Sequence, residues 1–257
     1  MLILIAESKT MKTCEKEITP SEYLAHSPTY QAEADAIMKE FCMMQVGEIV
    51  RLTKLTPTLA LRLFKLAYEF GNKSMGYQAV TAFTGVVFKA LDFPTLSEVA
   101  KDRCASGVKI ISSLYGWLDT TDIIKPYRLD FSSKIISPVG KEIALSSFWK
   151  KDVSISLVKE IKEQGHREIL NLLPADAAKC IDWKLVKNFA KVWKVDFTDA
   201  ANGATPPAGK LKEMRGLLLR QILEEGAGSS NDIQTLVSDN YFCDGTPLYP
   251  DHLHFLC

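Results

Sequence analysis

Hydrophobic residues along the chain alternate between two spacings, which predicts a protein that contains both helices and strands. Leu2 to Ala6 is a continuous aliphatic run and predicts a buried central strand, because only a strand covered on both faces is apolar throughout. The same reasoning predicts strands at residues 78–83, 108–112, 168–173 and 192–197. The last of these, VWKVDF, alternates apolar and polar positions as a half-exposed strand does.

Segments between these strands repeat apolar residues three or four positions apart, which is typical of amphipathic helices. Helices are predicted at residues 31–44, 57–70, 97–104, 146–164, 182–189 and about 210–225. Thr56 and Pro57 are favoured at a helix start, and Gly71 and Gly165 at helix ends. We therefore predict a mixed α/β (α+β) fold, with a central mixed sheet flanked by helices.

Length and charge restrict the possible functions. A chain of 257 residues buries roughly three quarters of its unfolded surface without help from metals or disulfides. Residues 200–209, AANGATPPAG, predict a surface loop that is too short for an interdomain linker, so we expect one domain over residues 1–257. Since 31 basic and 31 acidic side chains cancel, any contact with nucleic acid has to come from a local basic patch.

The chain offers little sign of export, membrane insertion or metal chemistry. The opening MLILIA is short and leads directly into Glu7 and Lys9, so we expect a soluble cytoplasmic protein with no membrane segment. His252, His254 and Cys257 could form a metal cluster, but we expect the chain end to be frayed and predict no metal. There is no dinucleotide-binding glycine pattern, and we predict no cofactor.

Residues 111–131, ISSLYGWLDTTDIIKPYRLDF, carry the most distinctive set of polar and aromatic residues. Pro126 fixes its own φ and disfavours a helix before it, so Tyr127 and Arg128 should be held in a defined orientation. Arg128 is therefore a candidate anion clamp. The alternative is that Arg128 pairs with Asp122 or Asp130 in a purely structural turn.

Lys9 is a second candidate, because Ser8, Lys9 and Thr10 follow the first predicted strand. The carboxyl end of a central strand is where α/β proteins bind ligands, so a phosphate contact by Lys9 is expected. The alternative is a solvated strand end. No glycine-rich phosphate loop is present, so the sequence does not predict nucleotide hydrolysis.

The last long helix supplies further cations. Lys212, Arg215 and Arg220 fall within a sector of about 140° on this helix, with Gly216 among them. A glycine in a helix interior costs about 1 kcal/mol relative to alanine, so close approach of a phosphate or of another helix is expected there. The alternative is a solvated basic face, with Gly216 packed against a neighbouring element.

Several of these blocks resemble the YaaA family of bacterial peroxide-stress proteins. They are Leu-Tyr-Gly at 114–116, Asp122, Pro-Tyr-Arg-Leu at 126–129, LILIAESKT at 2–10, AFTGVVFKAL at 82–91, Met-Arg-Gly at 214–216 and Tyr-Phe at 241–242. The resemblance implies a DNA-binding protein of the peroxide stress response, with a basic cleft and a helix-hairpin-helix element. Our candidate nucleic-acid-binding or anion-binding residues are Ser8, Lys9, Tyr115, Lys125, Tyr127, Arg128, Lys212 and Arg215.

On this hypothesis, residues 114–129 form the hairpin that holds a phosphate backbone through main-chain amides and Arg128. Tyr115 and Tyr127 would stack on bases or sugars. Lys9, Lys212 and Arg215 would complete one anion site. Recognition would then follow DNA shape, with little base readout.

The chain also departs from the family pattern. Val86 and Phe88 stand where the family has Asp and Tyr, Asp119 stands where it has Arg, and Glu213 where it has Lys. Each change removes a polar or positive group, so we expect weaker phosphate contacts and an altered ligand.

Two other functions are compatible with the sequence. The first is an enzyme acting on a nucleotide or phosphorylated small molecule, with the same cations binding phosphate and Asp122 as general base or orienting group. The second is a protein-interaction module. Cys104 could react with peroxide if Lys101 or Arg103 lowered its pKa, although we expect a buried structural thiol.

Overall fold

The computed structural model describes residues 1–13, 22, 26–71, 76–137, 139–245 and 249–257. Its strands are β1 (Leu2–Ala6), β2 (Tyr77–Gln78), β3 (Val108–Ser112), β4 (Gly116–Asp119), β5 (Ile123–Ile124), β6 (Lys134–Ile136), β7 (Glu142–Ala144), β8 (Glu168–Asn171), β9 (Lys191–Thr198), β10 (Val237–Ser238), β11 (Tyr241–Cys243) and β12 (His252–Leu256).

The α-helices of the described residues are α1 (Gln31–Met43), α2 (Val46–Thr53), α3 (Pro57–Glu69), α4 (Ala79–Ala82), α5 (Val86–Leu91), α6 (Glu98–Gly107), α7 (Leu145–Phe148), α8 (Lys150–Gln164), α9 (Trp183–Val186), α10 (Ala208–Glu225) and α11 (Ser230–Gln234). Short 3₁₀ helices cover Phe93–Thr95 and Ala177–Cys180. None of the helices described combines the length and apolar character needed to cross a bilayer.

A mixed sheet of eight strands, in the order β10-β11-β12-β9-β8-β1-β3-β4, organises the fold. β1 lies between β3 and β8 and runs parallel to both, with Leu4 opposite Lys109 on one side and Asn171 on the other. All five residues of β1 are buried, as the aliphatic run predicts for a strand covered on both faces. The mixed α/β fold predicted from the sequence is confirmed.

The order of the strands creates a topological switch point at β1. The chain passes from β1 to β3 on one side and later returns to β8 on the other side. In open α/β sheets, a crevice opens where successive connections leave in opposite directions at the carboxyl ends of the strands. The residues that follow β1 and β8 therefore border a crevice suited to a ligand.

Close packing of α10 on α5 sets one wall of this crevice. A Cβ atom added to Gly216 would overlap the carbonyl oxygen of Val87 and would lie 2.6 Å from the Cβ of Ala90. The glycine therefore allows the two helices to approach backbone to backbone. Of the two interpretations of Gly216, the structure favours packing against a neighbouring helix.

The loop after β1 is fixed to the start of α5. The Gly85 amide donates to the Ser8 hydroxyl at 3.0 Å, and an added Cβ on Gly85 would lie 2.5 Å from the Cβ of Ser8. Backbone hydrogen bonds from Thr84 N–H to the Thr10 carbonyl and from Lys12 N–H to the Ala82 carbonyl, each 2.9 Å, extend the contact. The orientation of Lys9 is thereby tied to α5.

Residues 114–129 form strands and turns, with no helix. β4 pairs antiparallel with β3, and β5 pairs with β2. Asp122 closes the intervening turn, because its Oδ2 accepts a 2.8 Å hydrogen bond from the Asp119 amide and its carbonyl accepts one from Ala79. Burial raises the pKa of Asp122 to about 7, against the effect of the Asp119 amide. The segment predicted to be the hairpin that holds DNA therefore consists of strands and turns.

Three other predictions differ from the structure. Residues 79–82 are helical, not a strand, and the strand pairing with β5 is made by the preceding Tyr77–Gln78. The predicted helix at 146–164 is divided at Trp149, whose indole nitrogen donates to the Ser113 carbonyl at 2.8 Å. The chain end predicted to be frayed forms β12, which pairs with β9 and β11 inside the sheet.

Gly216→Ala should destabilise the protein by about 2 kcal/mol, because the new methyl group overlaps the α5 backbone and the helices must separate. Urea unfolding measures this change. Gly209→Ala is the matched control on the same helix, because nothing lies within 4 Å of its added Cβ. It should leave stability unchanged or raise it by up to about 1 kcal/mol. Equal effects of the two substitutions would contradict the packing assigned to Gly216.

Asp122→Asn should stabilise the protein relative to the native chain increasingly as pH rises from 4 to 7. Because the folded-state pKa of Asp122 is raised to about 7, the native state holds a proton that the unfolded state releases in this window. The native chain therefore loses stability as pH rises, by up to about 4 kcal/mol from this group. The asparagine carbonyl retains the bond from the Asp119 amide without titrating.

Urea unfolding at several pH values measures the difference between the native chain and Asp122→Asn. The exposed Asp102 on α6 provides a control, because Asp102→Asn makes the same chemical substitution outside the core. A flat difference for Asp122→Asn would show that the buried carboxyl does not titrate as described.

Candidate anion-binding cleft

A cleft of about 460 Å³ opens at the carboxyl ends of β1 and β8, at the topological switch point. Residues 5–10 form its floor, α5 and α10 form one side, and segments 130–131 and 172–176 form the other. Its charged lining residues are Glu7, Lys9, Asp130, Asp176, Lys212 and Arg215. We call this space the cleft.

Arg215 has an unusual environment for an arginine. Its side chain lines the cleft and is partly buried, yet no residue of the described chain forms a hydrogen bond or ion pair with it. Burial lowers its pKa below the ordinary value, and the charge of Asp196 opposes this effect. A guanidinium has five N–H donors, so a partly buried one without partners is available to an anionic ligand.

Two lysines accompany Arg215. Lys212, one helical turn before it, is exposed and has no ion-pair partner in the part of the chain that is described. Lys9 pairs with Asp130 through a contact of 3.2 Å and is 62% exposed. Burial alone would raise the pKa of Asp130, but hydrogen bonds from Ser132 and the ammonium of Lys9 hold it below its ordinary value. The structure thus places Lys9, Lys212 and Arg215 around one space, whereas Arg128, the fourth cation of the predicted anion site, does not line it.

Glu7 supplies a carboxyl group on the floor of the cleft, and the sequence did not identify it as a functional residue. Its Oε2 accepts a 2.8 Å hydrogen bond from the Ser113 amide and a short one from the Tyr127 hydroxyl. Tyr127 also bonds to the Ser112 hydroxyl at 2.7 Å. Burial raises the pKa of Glu7 to about 7, although the hydrogen bonds from Ser113 and Tyr127 lower it.

The remaining lining of the cleft is largely apolar. These residues include Val86, Val87, Phe88, Phe131, Leu172 and Pro174. Val86 and Phe88 are the positions where the family pattern has a carboxylate and a phenol. Both positions therefore lie in the cleft, where their side chains make the wall apolar.

Tyr115 and Tyr127 are core residues, which corrects the prediction that they stack on nucleotides. Tyr115 is 0% exposed and Tyr127 is 5% exposed. Their rings pack edge to face at 5.8 Å, and the Tyr115 hydroxyl accepts a hydrogen bond from the Lys125 amide. Stacking on a base needs an exposed ring face, and neither ring has one.

Lys125 and Arg128 also lie outside the lining of the cleft. Lys125 is buried, and its ammonium bonds to the Phe70 carbonyl and lies 5.3 Å from the centre of the Phe70 ring. Arg128 is partly buried and donates to the Leu129 carbonyl at 3.3 Å. Neither Asp122 nor Asp130 is found as an ion-pair partner of Arg128 among the described contacts, so the expected pairs do not form.

Three further charged residues have structural roles away from a ligand. Asp122 closes the turn after β4 and does not line the cleft, so it is in the wrong place to act as a base there. Arg220 caps α5 through the Leu91 and Asp92 carbonyls. Glu213 pairs with Lys210 at 3.3 Å. Glu213 therefore does not line the cleft, and its negative charge is not placed against a phosphate bound there.

Asp119 has a similar outcome. It pairs with the buried Lys109 at 2.6 Å, and Lys109 also contacts Glu160 at 3.1 Å. This network joins β3 and β4 to α8. The carboxylate of Asp119 thus stabilises the sheet through this ion pair. Asp119 does not line the cleft and therefore does not change its charge.

The histidines and cysteines form no ligand cluster within the described residues. His252 pairs with Asp196, and His254 contacts Thr198 at 2.8 Å and Asp244 at 3.3 Å. Cys104 is buried, and burial raises its thiol pKa to about 12. A thiol with such a pKa is a poor nucleophile towards peroxide, so the buried structural interpretation of Cys104 holds.

Comparison with known proteins identifies relatives across almost the whole chain. The family described as peroxide stress protein YaaA matches residues 1–246. A UPF0246 protein of Parabacteroides distasonis is 31% identical over 204 residues, which cover 79% of this chain and 78% of the relative. A UPF0246 protein of Bordetella avium is 30% identical over 235 residues, 89% of each chain. The chain belongs to the YaaA family of peroxide stress proteins.

Proposed function

We propose that the cleft binds phosphate groups and that its ligand is the backbone of DNA during the response to peroxide. The observation that carries this proposal is the partly buried Arg215, which lines the cleft without a partner in the described chain. Lys212 lies one turn away on α10, and Lys9 adds a third cation that an incoming phosphate can draw from Asp130. Arginine and lysine at such positions are the usual phosphate-binding groups of proteins.

The proposed contacts differ from those expected from the sequence. Arg215, Lys212 and Lys9 hold the phosphates, while the buried tyrosines orient the floor of the cleft from within the core. We place the helix-hairpin-helix element of the proposal at α2 and α3. They are joined by residues 54–56, and Lys54 has a left-handed φ of 56°. Contacts to phosphates alone would read DNA shape, with little base readout.

A second candidate function is favoured by the position of the cleft. It lies at a topological switch point, where α/β proteins hold small ligands, and its volume of about 460 Å³ is typical of small-molecule sites. Three carboxylates, Glu7, Asp130 and Asp176, stand beside the three cations. This balance suits a discrete phosphorylated molecule or nucleotide better than a long polyanion.

Arg215→Ala and Lys212→Ala should each weaken binding of duplex DNA by about tenfold at low salt, because each removes a phosphate contact. Each should also reduce the slope of log affinity against log salt by about 1. Fluorescence anisotropy of a labelled duplex across a salt series measures both quantities.

Lys210→Ala is the matched control. Lys210 lies on the same helix and is exposed, but it pairs with Glu213 and does not line the cleft. Its substitution should change affinity much less than that of Lys212. DNA binding that is indifferent to Arg215 and Lys212, or absent at low salt, would contradict the DNA proposal.

A further inference from the structure

Resting on the second candidate function, we propose that the cleft takes a nucleoside monophosphate or a similar small phosphate monoester, with Glu7 as an acid-base group that gains a proton when the phosphate binds. Glu7 lies on the floor of the cleft that Arg215 and Lys212 border. Glu7 would then bind the ligand together with Arg215 and Lys212.

The lack of a cationic partner for Glu7 is the first observation. Three basic side chains line the same cleft, yet in the described part of the chain none forms an ion pair with Glu7. A partly buried carboxylate without a cation is unfavourable unless it is protonated or serves a ligand. Its raised pKa is the expected result of this environment and agrees with the geometry.

Fixed positioning is the second observation. The Glu7 Oε2 accepts hydrogen bonds from the Ser113 amide, in the segment after β3, and from the Tyr127 hydroxyl. Tyr127 is in turn held by the Ser112 hydroxyl. This arrangement fixes the carboxyl group at the edge of the cleft, which Glu7 lines. Acid-base groups in active sites are held in this manner by neighbouring hydrogen bonds.

The lining of the cleft indicates the kind of ligand. Arg215 and Lys212 provide donors for one phosphate, and Val86 and Val87 at the start of α5 provide an apolar surface against which a planar base can lie. Val86 is 42% exposed, although it is a large apolar side chain. A phosphate beside an apolar ring is the chemistry of a nucleotide.

The direction of the proton transfer follows from the surrounding charges. The ionisable groups around Glu7 are Lys9 on its own segment, Tyr127 and Asp130 after β5, Asp176 and Cys180 at the 3₁₀ helix, and Lys212 and Arg215 on α10. A phosphate dianion adds negative charge near Glu7 and favours its neutral form. Binding therefore takes up a proton, and affinity falls as pH rises above 7.

The experiment is calorimetric titration of the full chain with adenosine 5′-monophosphate between pH 7 and pH 8.5, in buffers of different ionisation enthalpy. The phosphate is already dianionic there, since its second pKa is about 6. We expect the native chain to take up about half a proton at pH 7, because a Glu7 with a pKa of about 7 is already half protonated there, and an amount that rises towards one proton near pH 8. It should bind about tenfold more weakly at pH 8.5 than at pH 7. Glu7→Gln keeps an oxygen for the Ser113 and Tyr127 donors, and it should bind with no proton uptake and no pH dependence.

Tyr127→Phe provides a second, independent measurement. It keeps the ring in the core and removes the hydrogen bond that stabilises the Glu7 carboxylate. The midpoint of the pH dependence should therefore move to higher pH. A purely structural role for Glu7 would change stability but would leave proton uptake and the midpoint unchanged.

Each result has a clear interpretation. Binding of the nucleotide with the same proton uptake in Glu7→Gln would overturn the acid-base role and leave the phosphate-binding cleft in place. Binding of DNA, sensitive to Arg215, with no binding of the nucleotide would overturn this inference alone. Absence of both would overturn the phosphate-binding function as well.

Discussion

The contact between Gly216 and the backbone of α5 brings together the two parts of the chain that make the cleft. α5 begins at Val86, beside the Ser8 loop that follows the central strand. α10 can lie against it only because Gly216 has no side chain. Lys212 lies four residues and Arg215 one residue before Gly216 on α10, so this contact places both side chains near the end of β1. Without it, the cations and the strand end would lie on separate surfaces.

The sequence predicted elements whose causes are local. The aliphatic run of β1 and the Thr56 cap of α3, which accepts from the Leu59 amide, depend on neighbouring residues alone. The break at Trp149 could not be predicted in this way. The indole packs against Gly116 and bonds to the Ser113 carbonyl, both of which belong to a distant hairpin. β12 was missed for a similar reason, since its pairing with β9 replaces the expected frayed end.

In the candidate site, too, residues placed by local features were predicted, and residues placed by contacts between distant segments were not. Lys9, Lys212 and Arg215 were predicted from a strand end and a helix face, together with the family resemblance, and the structure places them around one space. The tyrosines were misassigned because an aromatic residue in a sequence is as suited to a core as to stacking. Glu7 was missed because a carboxylate after a strand usually faces solvent. Its burial depends on Ser113 and Tyr127, which come from other segments.

Because the chain belongs to a peroxide stress family, we asked which part of it could respond to peroxide, the cysteine thiols or the cleft. Cys104 and Cys180 are buried, and burial raises the pKa of each thiol to about 12, so neither presents the thiolate that reacts with peroxide. The cleft, in contrast, holds charged groups that are not all satisfied within the described chain. A role for this chain in peroxide stress is therefore better explained by what the cleft binds than by oxidation of these two cysteines. If the cleft binds phosphate as proposed, the apolar wall at Val86 and Val87 would distinguish between phosphate-bearing ligands, because the cations alone would bind a phosphate from any source.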